Sequence, residues 1–102
     1  MSQEQEHRKV HVTAFYTSTA EDKRFNAETE STVQAVVDEA YHRLGEQRRD
    51  GDQYFCHAEP RVDLTPHLGS SLHALAAQGI CVTGDHGKLE FEFDIDVVPG
   101  GA

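Results

Sequence analysis

The chain has 102 residues, 37% of them hydrophobic, with nine Lys and Arg against eighteen Asp and Glu for a formal charge of −9. That is enough apolar material for one small core and not for two. The acidity repels phosphate backbones, which excludes nucleic-acid binding through a basic footprint and membrane attachment through a polybasic anchor.

Charge is uneven along the chain. Residues 1–50 hold seven basic and ten acidic side chains, and residues 51–102 hold two and eight, so the halves carry −3 and −6. No run approaches the roughly 18 apolar residues of a membrane-spanning helix, and the polar start, residues 1–8, reads as a flexible lead-in rather than a signal peptide. A soluble, cytoplasmic protein is the expectation.

From Lys9 to Thr17 the sequence KVHVTAFYT alternates Val10, Val12, Ala14 and Tyr16 with His11, Thr13 and Phe15, the pattern of a first strand. Ser18–Asp22 is turn-like, and Lys23–Glu28 supplies the return strand of a hairpin. Ser31-Thr32-Val33-Gln34 has the form of a capping box. Val33, Val36, Val37, Ala40, Tyr41 and Leu44 then recur at helical spacing, with Gly45 where a helix should stop. Tyr54–Glu59 reads as a third strand closed by Pro60. Residues 61–69 look irregular, Ser70–Gly79 a short capped helix, Ile80–Thr83 an extended piece and Gly84–Gly87 a turn.

The last element alternates strictly. Leu89, Phe91, Phe93 and Ile95 are interleaved with Glu90, Glu92, Asp94 and Asp96, which predicts a strand with one buried and one wet face. Four carboxylates in one row repel one another and discourage edge aggregation. Standing about 7 Å apart along the strand, they do not converge on a metal. The row is a solvated face or a recognition surface for a basic partner.

Cys56 and Cys81 are 25 positions apart. Nothing marks the chain for secretion, so the expectation is two half-buried free thiols acting as small hydrophobes, a disulfide remaining open in principle. The seven histidines are scattered, and Cys56-His57 with Cys81, Asp85 and His86 lacks the paired spacing of a zinc site. No third residue announces itself to orient a Cys–His nucleophile, and no resident metal or cofactor is expected.

After Asp96 the chain runs Val97-Val98-Pro99-Gly100-Gly101-Ala102. Pro99 cannot continue a sheet interior, so an extended tail is expected from residue 97. Two residues without Cβ let a backbone thread a narrow channel and present a carboxyl group at a remote active centre.

With this tail, the order of elements over residues 9–96 resembles the ubiquitin-like β-grasp family: hairpin, helix, then an amphipathic strand feeding into Gly-Gly. The resemblance implies an α+β domain with a mixed sheet of four to five strands packed on one main helix. More narrowly it is similar to the ubiquitin-like proteins of bacterial conjugation operons, some of which take part in anti-phage defence. It implies that the protein is not an enzyme but a modifier, processed after Gly101 by a JAB-type metalloprotease that removes Ala102. An E1-like partner would then adenylate Gly101 with ATP, and an E2-like partner would pass it to an amine on a target protein. Gly100 and Gly101 are the conjugation residues on this reading. Glu90, Glu92, Asp94, Asp96, His11, Phe15 and His57 form the candidate partner surface. A sulfur carrier of the same fold and a non-covalent interaction module are the alternatives. Only Lys9, Lys23 and Lys88 could receive a lysine-linked chain.

Overall fold

A computed structural model describes residues 9–85 and 88–97. The expected lead-in over residues 1–8 and the tail from Val98 onward lie outside the described residues. Eight elements follow one another: β1 (Lys9–Tyr16), β2 (Glu21–Glu28), α1 (Val33–Leu44), β3 (Gln53–Cys56), a 3-10 turn (Thr65–His67), α2 (Leu72–Gln78), β4 (Val82–Asp85) and β5 (Lys88–Asp96). The strands make one mixed sheet of five with two helices, ordered β2-β1-β5-β3, with β4 also paired to β5.

The alternation read from the sequence sets both central strands. Val10, Val12, Ala14 and Tyr16 of β1 and Leu89, Phe91, Phe93 and Ile95 of β5 are all buried. These strands pair in parallel from Val10↔Leu89 to Tyr16↔Ile95, which puts the two apolar rows side by side. Val33, Val36, Val37, Ala40 and Tyr41 of α1 close the core from the helical side.

β2 begins at Glu21, two residues before the expected start, because the turn is confined to residues 17–20 and Tyr16 pairs with Glu21. β3 ends at Cys56 instead of Glu59. Beyond it the chain turns back, and residues 62–64 bond to the strand's outer edge: Cys56 N–H donates to Val62 O and Leu64 N–H to Tyr54 O. Leu64, in a stretch that looked irregular, is thereby fully buried. The expected turn at Gly84 is instead part of β4, where Gly84 pairs with Leu89. Its φ of +126° and its approach to Lys88 require glycine, since a Cβ there would collide with the Lys88 carbonyl oxygen.

The capping box is not made. Thr32, not Ser31, caps α1, its hydroxyl accepting from Ala35 N–H at 3.1 Å, while Gln34 donates its side-chain amide to Asp38. The reason is a staple between the helix starts: Leu72 N–H donates to Ser31 O and Val33 N–H to Ser70 O, each at 2.9 Å. Gln34 N–H and His73 N–H donate to Leu68 O and Thr29 O across the same junction. Each helix therefore satisfies free amides with the other's lead-in loop. Gly45 and Gly79 end the two helices in the left-handed region, as their positions imply.

β3 and β4 lie end to end along the same edge of β5, β3 opposite residues 93–96 and β4 opposite 88–91. Cys56 closes the first and Cys81 precedes the second, and the two are joined as a disulfide with a Cα–Cα distance of 5.6 Å. The expected pair of free thiols is corrected on this point. Cys81 sits at φ 66°, a turn that the 25-residue spacing does not reveal.

All three tyrosines gather beside the loop after α1. Tyr41 Oη donates to Asp52 Oδ2 at 2.5 Å and lies 3.0 Å from Tyr54 Oη; Arg49 N–H holds the same Asp52 oxygen. Burial, then the Asp52 hydrogen bond, pushes the Tyr41 phenol above its ordinary value; burial and Glu46 do so for Tyr16. With folded-state values raised, this contribution to stability is complete below pH 10 and is lost as the pH rises beyond it, because the unfolded chain ionises first. Urea unfolding at pH 8 and pH 11 should show a fall in stability that is smaller in Tyr41→Phe. Replacing the disulfide by Cys56→Ser/Cys81→Ser should cost about 3.5 kcal/mol in the same assay, the loop-closure value for a 25-residue span.

Candidate functional site

The sheet face opposite the helices is where the sequence places its candidate surface residues. The β1–β5 register sets His11 against Glu90, Thr13 against Glu92 and Phe15 against Asp94. On the far side of β5, Phe55 of β3 also faces Asp94. Alternation gives all of these side chains the same, outward direction.

The four carboxylates do not form one solvated row. Glu90 and Glu92 are exposed, but the Asp94 side chain is only 8% exposed and is gripped from two sides. His57 Nδ1–H donates to Asp94 Oδ1 at 2.6 Å, and the Arg61 guanidinium donates to Asp94 Oδ2 at 2.9 Å and to Asp96 Oδ2 at 3.1 Å. Thr17 Oγ1 completes Asp96 with a bond of 3.0 Å. The expected mutual repulsion is relieved here because one cation spans both aspartates. Hydrogen bonds to Asp94 and Asp96 hold Arg61 above its ordinary pKa, so it stays charged.

Aromatic rings floor both grips. The His57 imidazole stacks on Phe15 with centroids 3.9 Å apart and planes 17° from parallel. The Arg61 guanidinium lies 4.5 Å from the Phe55 ring centroid. Phe15 and Phe55 remain partly exposed, and the His57 side chain is 43% exposed. The face thus offers an imidazole stacked on Phe15 and a guanidinium over Phe55, flanking a buried aspartate, with Glu90, Glu92 and His11 at the end where β5 begins. Such a surface suits docking: rigid, amphipathic rings already held in place need little further ordering.

Of the sequence-derived candidates, the structure brings Phe15, His57, Asp94 and Asp96 together and leaves His11, Glu90 and Glu92 beside them. Sequence reasoning missed Phe55, Arg61 and Thr17. Phe55 carried a signal, since the parity of Tyr54 and Cys56 sends it outward. Arg61, in an irregular stretch after Pro60, carried none. Val97 packs partly buried against the core, while Val98, Pro99, Gly100, Gly101 and Ala102 lie outside the described residues. Among the described residues no three His, Cys, Asp or Glu side chains are grouped to hold a metal, and no helix is long and apolar enough to cross a membrane.

No family model matches the chain, and no curated protein matches it at a significant level. The reading of the site accordingly rests on its residues.

Asp94 holds the patch together, so its removal should do more than the loss of one surface charge. Asp94→Ala should lower stability by about 1–3 kcal/mol in denaturant unfolding, since it strips a buried acceptor from two donors. Glu92→Ala, on the exposed part of the same strand, should change it by less than about 0.5 kcal/mol.

Proposed function

We propose that this chain is a ubiquitin-like β-grasp modifier, activated and conjugated through Gly101. The observation that carries the reading is the path of β5. This strand is the shared centre of the sheet, paired on one side to β1 and on the other to β3 and β4, and it runs without interruption toward Val97. Gly100-Gly101 follows Val97 within four residues of sequence. A mixed five-stranded sheet on α1, with the first and last strands parallel at its centre, is compatible with the β-grasp arrangement.

In this reading a rigid body carries its reactive group at its own C-terminal segment, and partners supply the catalytic groups. A JAB-type metalloprotease removes Ala102 and frees the Gly101 carboxylate. An E1-like enzyme joins that carboxylate to AMP from ATP, with pyrophosphate leaving. An enzyme thiol, on the E1-like and then on an E2-like partner, displaces AMP to form a thioester, and an amine of the target displaces the thiol to form an amide. The protein acts in the bacterial cytoplasm beside such partners, within a conjugation system of the kind that serves anti-phage defence. The outer-face patch of Phe15, Phe55, His57 and Arg61, with Glu90 and Glu92 nearby, is the surface by which the activating partner orients the tail.

Tagged full-length chain expressed in its native host should yield higher-mass adducts, with mass spectrometry locating an amide at Gly101. Gly101→Ala should abolish them, and Arg61→Glu should reduce them at least tenfold while the circular dichroism spectrum is retained. Adducts that persist unchanged in a chain lacking Gly100–Ala102 would overturn the reading, as would a Gly101 that carries no adduct.

A further inference from the structure

The disulfide sits against the patch rather than apart from it. His57, whose ring stacks on Phe15 and grips Asp94, is the residue immediately after Cys56. Its backbone N–H donates at 3.0 Å to the carbonyl of Glu92. Glu92 is the β5 residue that falls between the spans paired by β3 and by β4. Cys81 Sγ lies 3.3 Å from the same carbonyl oxygen. The cross-link and the base of the patch therefore meet at one peptide group.

β3 and β4 are four residues each and share no ladder with one another. Where they meet along β5, the bond between Cys56 and Cys81 is the covalent link between them. Each strand makes only four residue pairs with β5, so the covalent link adds to two short ladders. The two sulfurs also differ in access, Cys56 being buried and Cys81 partly exposed.

We infer that Cys56–Cys81 is a thiol–disulfide switch that sets the geometry of the His57–Phe15–Asp94 patch. A dithiol reductant reaches the accessible sulfur first. Its thiolate bonds to Cys81 Sγ, the S–S bond breaks, and Cys56 leaves as a thiolate that takes up a proton. The reductant's second thiol then displaces Cys81, which is protonated in turn. Two electrons and two protons have passed to the protein, and the reductant departs as its own disulfide. In the reduced state the Cys81 thiol has a hydrogen to donate to the Glu92 carbonyl, the acceptor that positions His57, and the end of β3 is no longer tied to β4. The imidazole then leaves its stack on Phe15. This inference stands apart from the tail chemistry and holds whether or not Gly101 is conjugated.

Proton NMR of the full-length chain reads the switch directly, because a ring stacked on Phe15 has its His57 carbon-bound protons displaced upfield. Dithiothreitol should add 2 Da to the mass and move the His57 ring protons most of the way to their unstacked positions. The Val36 and Val37 methyl signals in the core should stay in place. Cys56→Ser/Cys81→Ser should give the reduced spectrum and ignore dithiothreitol; if that variant does not fold, reduced wild-type protein supplies the same comparison. Three results would overturn the inference: no change of mass on reduction, His57 signals that stay upfield in the fully reduced protein, or His57 and core methyl signals that collapse together to unfolded positions.

Discussion

The parallel pairing of β1 with β5 is the constraint from which the other contacts take their places. β5 buries Leu89, Phe91, Phe93 and Ile95 while sharing one edge with β1 and the other with two strand halves. A slip of one residue would turn those side chains out and carry Glu90, Glu92 and Asp94 into the core, so the register is strongly specified. That same register delivers Asp94 between Phe15 and Phe55. The position of the patch is thus a by-product of packing the core, and its composition is where function is free to vary.

Polar groups inside this arrangement are matched across long stretches of sequence. The helix starts exchange amide bonds over about forty residues, from Ser31 to Leu72 and from Ser70 to Val33. Tyr41, Tyr54 and Asp52 tie α1 to β3 through the intervening loop. Neither cluster is large, yet each satisfies donors that burial would otherwise leave unpaired. Together they keep the helical layer in one orientation over an apolar surface that would tolerate several.

What was legible in the sequence follows from periodicity. The alternation in 10–16 and 89–95 and the helical spacing of 33–44 named most of the core. Gly45 and Gly79 marked the helix ends because the left-handed turn they adopt is costly for other residues. What escaped depends on distant partners. Thr32 displaced Ser31 as the cap because the carbonyl of Ser31 was needed by Leu72. The end of β3 was set by the return of residues 62–64, and the cysteine pair by two strand halves sharing one edge of β5. The surface was legible in parity and not in charge. Phe15 and His57 could be assigned to it, whereas the neutralisation of Asp94 and Asp96 came from Arg61, whose segment has no period to read.

The parallel sense of β1 and β5 also has a mechanical meaning. The chain enters β1 at one end of their common ladder and leaves β5 at the opposite end. Tension applied between Lys9 and Val97 runs along that ladder and loads its seven residue pairs at once, in shear. A hairpin pulled from its open end gives way one pair at a time; this pairing must yield along its whole length. A force transmitted through the C-terminal segment would therefore meet the fold where it resists most.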